Sequence, residues 1–125
     1  MMRRILVVED HEDNRRILRD LLTNVGFQLI EAETGPDGVE MAKMHQPDLI
    51  LMDLQLPGID GYEAARQIKA DPRLSSVPII AVTSYALSGD EERALAAGCS
   101  AYISKPYSPR QLLASIREHL PTSAS

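Results

Sequence analysis

The chain has 125 residues, which is the size of one ordinary domain and leaves no room for a second. Apolar residues make up 44% of the sequence and charged residues 25%, so disordered and fibrous classes are excluded. No uninterrupted apolar run approaches the length of a bilayer span. The net charge is −5, and basic residues cluster only at Arg3-Arg4 and Arg15-Arg16, which argues against direct DNA or RNA binding.

The cysteine count and the chain termini bear on location. The chain has one cysteine, Cys99, which excludes an internal disulfide. No secretory signal peptide, with a charged segment followed by an apolar one, precedes the first apolar run. We therefore expect a cytoplasmic protein without a membrane association. A single domain over residues 1–125 is predicted, with its core at about 4–120 and a frayed tail at 121–125. Met41, Met44 and Cys99 are expected to be packing residues.

Short apolar runs alternate with segments of helical period, the pattern of an α/β fold with a parallel sheet. The predicted strands are Ile5–Val8, Phe27–Glu31, Leu49–Met52, Ile79–Val82 and Ala101–Ser104. The first, third and fourth runs are apolar at every position, as in strands covered on both faces. The second and fifth are less apolar, which favours the edges of the sheet.

Each predicted strand is followed by a predicted helix. The first helix runs from about Glu12 to Val25, and its apolar stripe consists of Ile17, Leu18, Leu21, Leu22 and Val25. The second begins at Gly35-Pro36 and runs to about His45. Capping sequences predict the starts of the last three, at Asp60–Glu63, Ser88–Glu91 and Ser108–Gln111.

The strand order follows from general rules of connectivity. Sequential strands usually lie side by side, and parallel crossovers are right-handed. With the second and fifth strands outside, the order 2-1-3-4-5 keeps most sequential pairs adjacent. We predict a doubly wound, flavodoxin-like (βα)5 sandwich with helices on both faces of a five-stranded parallel sheet. Ligands bind such sheets at the carboxyl ends, here where the order reverses between strands one and three.

Polar residues follow four of the strands at that edge: Glu9 and Asp10, Asp53, Thr83, and Lys105. Neighbouring strands lie ~4.8 Å apart, so the side chains of Asp10 and Asp53 should reach a common point. Three carboxylates this close repel one another unless a cation lies among them, and an all-oxygen site suits Mg²⁺. Single acidic loop residues are often helix caps, so the prediction depends on the whole set.

A carboxylate beside Mg²⁺, with a lysine and a hydroxyl opposite, is suited to phosphoryl transfer. The cations neutralise the non-bridging oxygens while a carboxylate oxygen attacks in line. Lys105 is followed by Pro106, which indicates a constrained turn after the fifth strand. The residues alone do not favour a cis bond there, since only ~5–6% of X-Pro bonds are cis.

Four motifs now carry a family resemblance: Val8–Asp10, Leu51–Gly61, Val82–Ser84 and Ile103–Pro106. In this order and spacing they resemble the receiver domain of two-component response regulators, the CheY-like family. The resemblance covers the chain from about Arg4 to Leu120.

The resemblance implies that Asp53 accepts a phosphoryl group from a histidine kinase or a histidine phosphotransfer protein. It implies that Asp10, Asp53 and the backbone carbonyl of Gln55 bind Mg²⁺, with Glu9 assisting through water. Lys105 and Thr83 would hold the phosphoryl oxygens, and the bond between Lys105 and Pro106 would be cis. Apart from its own phosphorylation and dephosphorylation, such a protein catalyses nothing.

Tyr102 matches the switch aromatic of the family. Phosphorylation would draw Thr83 inward and let Tyr102 fill the vacated space, changing the surface of helix four, strand five and helix five. A downstream protein target would bind that surface, and the protein would be a monomer or a weak dimer. Judged without the resemblance, Tyr102 is an edge-strand aromatic that covers the core.

Residues around the predicted site have weaker interpretations. His11 is either a contact of the metal site or an exposed histidine at a helix start. Gln55 and Tyr85 stand where side chains control the access of water to an acyl phosphate, and Ser84 is small enough to leave room for it. Pro57-Gly58 indicates a turn.

Particular residues argue against two other functions. A haloacid-dehalogenase-type phosphatase carries a second aspartate where this chain has Gln55. A flavodoxin-like cofactor binder needs a neutral phosphate loop where this chain has the acidic run Glu9–Asp13. A receiver-like module that binds proteins independently of phosphorylation stays open. The chain is also similar to stand-alone regulators of the DivK type without an output domain, although a receiver separated from a hybrid kinase has the same features.

Overall fold

The computed structural model describes residues 3–56, 58–83 and 90–120. Within these ranges five strands and five helices alternate along the chain. Their bounds are β1 Arg4–Val8, α1 Glu12–Asn24, β2 Gln28–Ala32, α2 Gly35–His45, β3 Leu49–Asp53, α3 Gly61–Ala70, β4 Ile79–Thr83, α4 Asp90–Ala96, β5 Ala101–Ser104 and α5 Pro109–His119. Every predicted element is present, with ends that differ by up to two residues where they are described.

All neighbouring strands are parallel, and the sheet order is β2-β1-β3-β4-β5. The predicted order and the predicted edges are therefore confirmed. Residues of β3 and β4 are buried throughout, whereas β5 is only partly buried. Like β1, the strands β3 and β4 are inner strands covered from both sides, which explains why their sequences are apolar without alternation.

The two faces of the sheet have separate cores. On one face, α2, α3 and α4 bury Val39, Ile68 and Ala94 against the sheet. On the other face, α1 and α5 contribute Leu18, Leu22, Leu112 and Ile116. Alternate positions of each central strand serve the two cores, so the face to which a strand residue points can be read from its parity.

Side-chain caps fix several helix starts. The Thr34 hydroxyl accepts a hydrogen bond from Asp37 N at 3.2 Å, and Asp60 Oδ1 accepts one from Glu63 N at 2.9 Å. Ser108 and Gln111 form a reciprocal capping box, as predicted. The predicted cap at Ser88, the turn residue Pro57 and the tail 121–125 lie outside the described residues.

Two packing predictions were wrong. Ile17 is 62% exposed and Val25 is also exposed, because α1 packs through a stripe that contains Leu18, Leu22 and, unexpectedly, Arg15. Met44 is 70% exposed, since α2 turns Val39 and Ala42 toward the core instead. The predictions for the other two packing residues hold: Met41 packs against the core and Cys99 is buried.

Candidate phosphoryl-acceptor site

Three ionic residues extend the α1–α5 face of the sheet at its carboxyl edge. Glu9, Asp53 and Lys105 each stand two positions beyond an apolar residue of that face, namely Val7, Leu51 and Ile103. The register pairs Val8 with Met52, so the next positions along the two strands are Glu9 and Asp53. The alternation that buries apolar residues lower in the strands therefore brings the ionic residues together where the strands end.

Lys105 joins two carboxylates that come from different strands. Its Nζ lies 3.0 Å from Oε1 of Glu9 and 3.4 Å from Oδ2 of Asp53. Glu9 and Asp53 are both almost fully buried, with 3% and 5% of their surfaces exposed. The second oxygen of each carboxylate accepts a backbone hydrogen bond, from His11 N at 3.0 Å to Glu9 and from Gln55 N at 2.9 Å to Asp53.

The two carboxylates respond to this environment in opposite ways. Burial raises the pKa of Asp53 to about 6, and the negative charge of Glu9 adds to this against the opposing Gln55 amide and Lys105. Burial also disfavours ionised Glu9, but hydrogen bonds from the His11 amide and Lys105 lower its pKa to about 2. At Asp53, burial and the charge of Glu9 thus outweigh the lysine, whereas at Glu9 the hydrogen-bond donors outweigh burial.

Asp10 stands beside this pair. Its Oδ1 is buried and lies 3.2 Å from Nδ1 of His11, yet it makes no hydrogen bond with any described residue. Within the described ranges, the side chains of Glu9, Asp10 and His11 form the group whose metal-binding atoms all lie within 4.8 Å of one another. The predicted ligand Asp53 is not in that group and is connected to it through Glu9 and Lys105.

Thr83 lies on the opposite face of the sheet from Lys105. It ends β4, is fully buried, and accepts a short hydrogen bond at Oγ1 from Nε2 of Gln55. Gln55 therefore contacts two predicted site residues, Asp53 through its backbone and Thr83 through its side chain. The other residues of this rim that the sequence singled out, Ser84 and Tyr85, lie outside the described residues.

The sequence matches the response regulator receiver domain family over residues 5–117. The chain belongs to this family. The polar-differentiation response regulators DivK of Brucella ovis and Brucella anthropi are each 42% identical to it over 120 residues, covering 96% of this chain and 98% of theirs.

Solved receiver structures have the same fold. The receiver domain of sensor histidine kinase PA1611 from Pseudomonas aeruginosa superimposes with a TM-score of 0.88 at 36% identity, covering 95% of this chain and 98% of that one. That crystal structure holds a magnesium ion coordinated in the active-site cleft. The chemotaxis protein CheY4 of Vibrio cholerae, at 22% identity and a TM-score of 0.91, supports the fold alone.

The donor set of this receiver fits a hard divalent cation. Glu9, Asp10 and Asp53 supply three carboxylates to the site, while Lys105 is the ammonium that contacts two of them. The pKa of Asp53 is raised because burial and the charge of Glu9 outweigh the lysine, and the buried Oδ1 of Asp10 accepts no hydrogen bond from a described residue. A divalent ion would stabilise ionised Asp53 and give Asp10 Oδ1 a partner.

Tyr102 lies on the strand that leads to Lys105, and Pro106 directly follows the lysine. Tyr102 pairs with Ala81 in the sheet and packs against the core on the α2–α4 face, the face that also holds Thr83. The Lys105-Pro106 peptide bond is cis, as the resemblance implies. Lys105 N donates to Thr83 O at 2.7 Å, which ties the β5–α5 loop to the end of β4.

A groove of about 330 Å³ opens beside the lysine, on the α1–α5 side of the site. It is lined by Glu9, Asn14, Ile17, Lys105, Pro106 and Tyr107. Exposed Ile17 therefore stands at the rim of a depression that reaches the ionic site.

Among the described residues, no helix combines the length and the apolar character needed to cross a membrane.

Two residues that support the site were missed by the sequence analysis. Buried Arg15 donates from Nη1 to the carbonyl oxygen of Glu9 at 2.9 Å, which anchors the backbone of the acidic loop. Its spacing from Leu18 and Leu22, on the buried stripe of α1, was the signal that could have found it. Gly61 packs so closely on the backbone of Asp53 and Leu54 that a Cβ there would collide with the Asp53 carbonyl oxygen.

Proposed function

We propose that this receiver accepts a phosphoryl group on Asp53 in a Mg²⁺-dependent reaction and thereby changes a surface that controls partner proteins. The observation that carries the proposal is that the Lys105 ammonium lies between Glu9 and Asp53. Asp53 is 5% exposed, and its pKa is raised. A buried carboxylate with a strongly perturbed pKa beside a specific charged partner is typical of a functional site.

The chemistry is a transfer between two nucleophiles. A carboxylate oxygen of Asp53 forms a bond to phosphorus while the bond from phosphorus to the donor breaks, and the donor leaves with the bonding electrons. Lys105 would hold a phosphoryl oxygen, because its Nζ is already 3.4 Å from Asp53 Oδ2. The Thr83 hydroxyl would take another after exchanging its hydrogen bond with Gln55.

The acidic rim would hold the cation. Asp10, Asp53 and the backbone carbonyl of Gln55 are the proposed ligands, with Glu9 assisting through water. When bound, Mg²⁺ would neutralise oxygens of the transferred group. Lys105 keeps Glu9 ionised, and the Arg15 guanidinium holds the Glu9 backbone, so the loop that carries the ligands is positioned before the ion arrives.

The response to phosphorylation would pass through β4 and β5. Thr83 and Tyr102 point to the same face of the sheet from adjacent strands, so withdrawal of the Thr83 side chain toward Asp53 would open space beside Tyr102. The proposed result is a population shift of the surface formed by α4, β5 and α5. Pro106 would fix the turn that aims Lys105 at the site.

The proposed donor is a histidine kinase or a histidine phosphotransfer protein, and the proposed recipient of the signal is a downstream protein target. The groove beside Lys105 supports a protein donor, because it joins an exposed apolar residue, Ile17, to the ionic site. We further propose a cytoplasmic monomer or weak dimer, a single receiver domain that catalyses only its own phosphorylation and dephosphorylation.

The decisive experiment is intact-protein mass spectrometry after incubation with acetyl phosphate. The wild-type chain with Mg²⁺ is expected to gain the mass of one phosphoryl group, located on Asp53 by peptide mapping. Chelation of Mg²⁺ and the Asp53→Asn variant should each abolish the gain, because they remove the cation and the nucleophile respectively.

The matched control is Asp13→Asn, which alters an exposed aspartate of α1 that pairs only loosely with Arg16. It should be labelled like the wild type. Labelling that persists in Asp53→Asn would show that a different residue is the phosphoryl acceptor. A wild-type chain that gains no phosphoryl group would favour the alternative of a receiver-like module that binds partners independently of phosphorylation.

A further inference from the structure

The metal-binding rim of this chain contains a nitrogen donor. His11 Nδ1 lies 3.2 Å from Oδ1 of Asp10 and 3.3 Å from Oε2 of Glu9. The three donor atoms form the group already described, which combines one imidazole nitrogen with two carboxylate oxygens. Mg²⁺ prefers oxygen and water, whereas imidazole favours borderline ions such as Zn²⁺, Co²⁺ and Ni²⁺.

The position of the imidazole follows from the local backbone. His11 is the N-cap residue of α1 and has an extended conformation, with φ −89° and ψ 121°. Its side chain makes no capping hydrogen bond, and its backbone amide is taken by Glu9 Oε2. The ring therefore does not serve the helix, and it lies against the two acids while 72% of the side chain stays open to solvent.

The donor atoms are close enough together to share one ion. His11 Nδ1 lies at hydrogen-bonding distance from Glu9 Oε2, and the donor atoms of all three residues lie within 4.8 Å of one another. With metal–ligand bonds of about 2.0–2.1 Å, neighbouring ligands of one ion lie about 2.9–3.3 Å apart, a range that the two distances from His11 Nδ1 fit. Asp10 Oδ1 has a hydrogen-bonding vacancy among the described residues that an ion would fill.

We propose that His11 is a ligand of the metal site in this receiver and shifts its preference from Mg²⁺ toward borderline divalent ions, with Zn²⁺ as the representative. Glu9, Asp10 and His11 would bind the ion, and solvent would supply the remaining position. The inference rests on the proposed function, since the acidic rim that binds Mg²⁺ there is the same rim that binds Zn²⁺ here. An ion held in this way would compete with Mg²⁺.

Metal binding to the full-length chain tests the proposal without reference to phosphorylation. Metal-free protein is titrated with Zn²⁺ and with Mg²⁺ by calorimetry, and the imidazole nitrogens are followed by NMR. The wild type should bind Zn²⁺ more tightly than Mg²⁺, with the His11 ring resonances shifting on Zn²⁺ addition. His11→Asn should weaken Zn²⁺ by about tenfold or more, since even second-shell changes cost ~10–100-fold.

Mg²⁺ affinity should change by less than about threefold in His11→Asn, because oxygen ligands dominate Mg²⁺ binding. The matched control is His45→Asn, which removes a histidine at the end of α2 and should leave both affinities as in the wild type. Equal Zn²⁺ affinity in wild type and His11→Asn, or an equal loss for both ions, would overturn the proposal.

The labelling experiment separates this proposal from the proposed function. In labelling with acetyl phosphate and Mg²⁺, added Zn²⁺ should inhibit the gain of the phosphoryl group less in His11→Asn than in the wild type, each compared with its own zinc-free level. If the wild type is labelled on Asp53 but the Zn²⁺ affinity is the same in His11→Asn as in the wild type, only the selectivity proposal fails. If no labelling occurs yet Zn²⁺ binds through His11, the phosphoryl-acceptor function fails instead.

Discussion

Two ionic clusters meet at the end of β1, and they balance their charges differently. In the first, Lys105 contacts Glu9 and Asp53, and the pKa of Asp53 is raised because burial and Glu9 outweigh the lysine. In the second, two arginines of α1 face three glutamates, and the pKa of Glu31 is lowered, first by its hydrogen bonds from Arg19. Each cluster has one carboxylate more than it has cations, but the pKa of a carboxylate is raised only at Asp53, while that of Glu31 is lowered.

The second cluster is built around a buried guanidinium. Arg15 is 8% exposed in its side chain, contacts Glu12, and lies 3.5 Å from Glu31 and 3.4 Å from Glu33. Arg19 donates two hydrogen bonds to the Glu31 carboxylate, of 2.7 and 2.8 Å. Glu31 is thus held by arginine hydrogen bonds, whereas Asp53 is a buried acid with a raised pKa beside a specific charged partner, which is typical of a functional site. The predictions below test this distinction.

The largest effect on stability is expected from Arg15→Met. This change leaves the Glu9 carbonyl oxygen and the glutamates without their buried donor, so the free energy of unfolding should fall by about 2–4 kcal/mol. Urea denaturation measures it. The neighbouring exposed pair provides the control, because Arg16→Met removes only a 3.8 Å contact with Asp13 and should cost less than ~0.5 kcal/mol. Equal losses in the two variants would refute the structural role of Arg15.

Asp53→Asn should act in the opposite direction. A pKa raised to about 6 in the folded state means that ionising Asp53 costs stability as the pH rises through that value. In metal-free buffer at pH 7.5 the variant should therefore be more stable than the wild type by about 1–3 kcal/mol.

The pH dependence provides the control for Asp53→Asn. Near pH 4 the wild-type carboxyl is largely protonated in the folded protein, so the advantage should shrink. Mg²⁺ should also reduce it, because the ion binds the ionised wild-type site. An Asp53→Asn variant that is less stable than the wild type at pH 7.5 without metal would show that ionised Asp53 does not destabilise the folded protein.

A smaller effect is expected from Lys105→Ala. Loss of the ammonium leaves Glu9 and Asp53 facing each other, which should cost about 1 kcal/mol in metal-free buffer. Mg²⁺ binding should be retained, since Lys105 competes with a cation and does not ligate one. In NMR spectra with beryllium fluoride as the phosphoryl mimic, the change near Tyr102 should be lost. A wild-type response at Tyr102 in this variant would exclude Lys105 from the switch.

Much of the candidate site was open to prediction. The acidic loop, the aspartate that ends β3 and the lysine after β5 all follow buried apolar positions, and parallel strands end at one edge. The fold brings Glu9, Asp53 and Lys105 together at that edge, whereas the convergence of Asp10 with Asp53 stays a prediction, since Asp53 is not in the group formed by Glu9, Asp10 and His11. The roles of these residues stay predictions until the labelling and metal titrations are done.

The errors all concern which side of a helix faces inward. The pattern on α1 put Ile17 in the core and overlooked Arg15, because an arginine is normally a surface residue. Arg15 can be buried because Glu12 of its own helix, Glu31 of β2 and Glu33 just beyond that strand lie around its guanidinium. Met44 was placed in the core by its residue type alone, although it lies outside the buried positions of α2.

The sequence by itself determined the alternation of strands and helices, the order of the strands and the set of polar residues at one edge, because periodicity and connectivity are local properties. Only the tertiary structure decided that Lys105 contacts both Glu9 and Asp53, that Gln55 bridges Asp53 and Thr83, and that the His11 ring lies against Glu9 and Asp10. Those contacts depend on side-chain orientations and on the approach of separate segments, which periodicity does not encode.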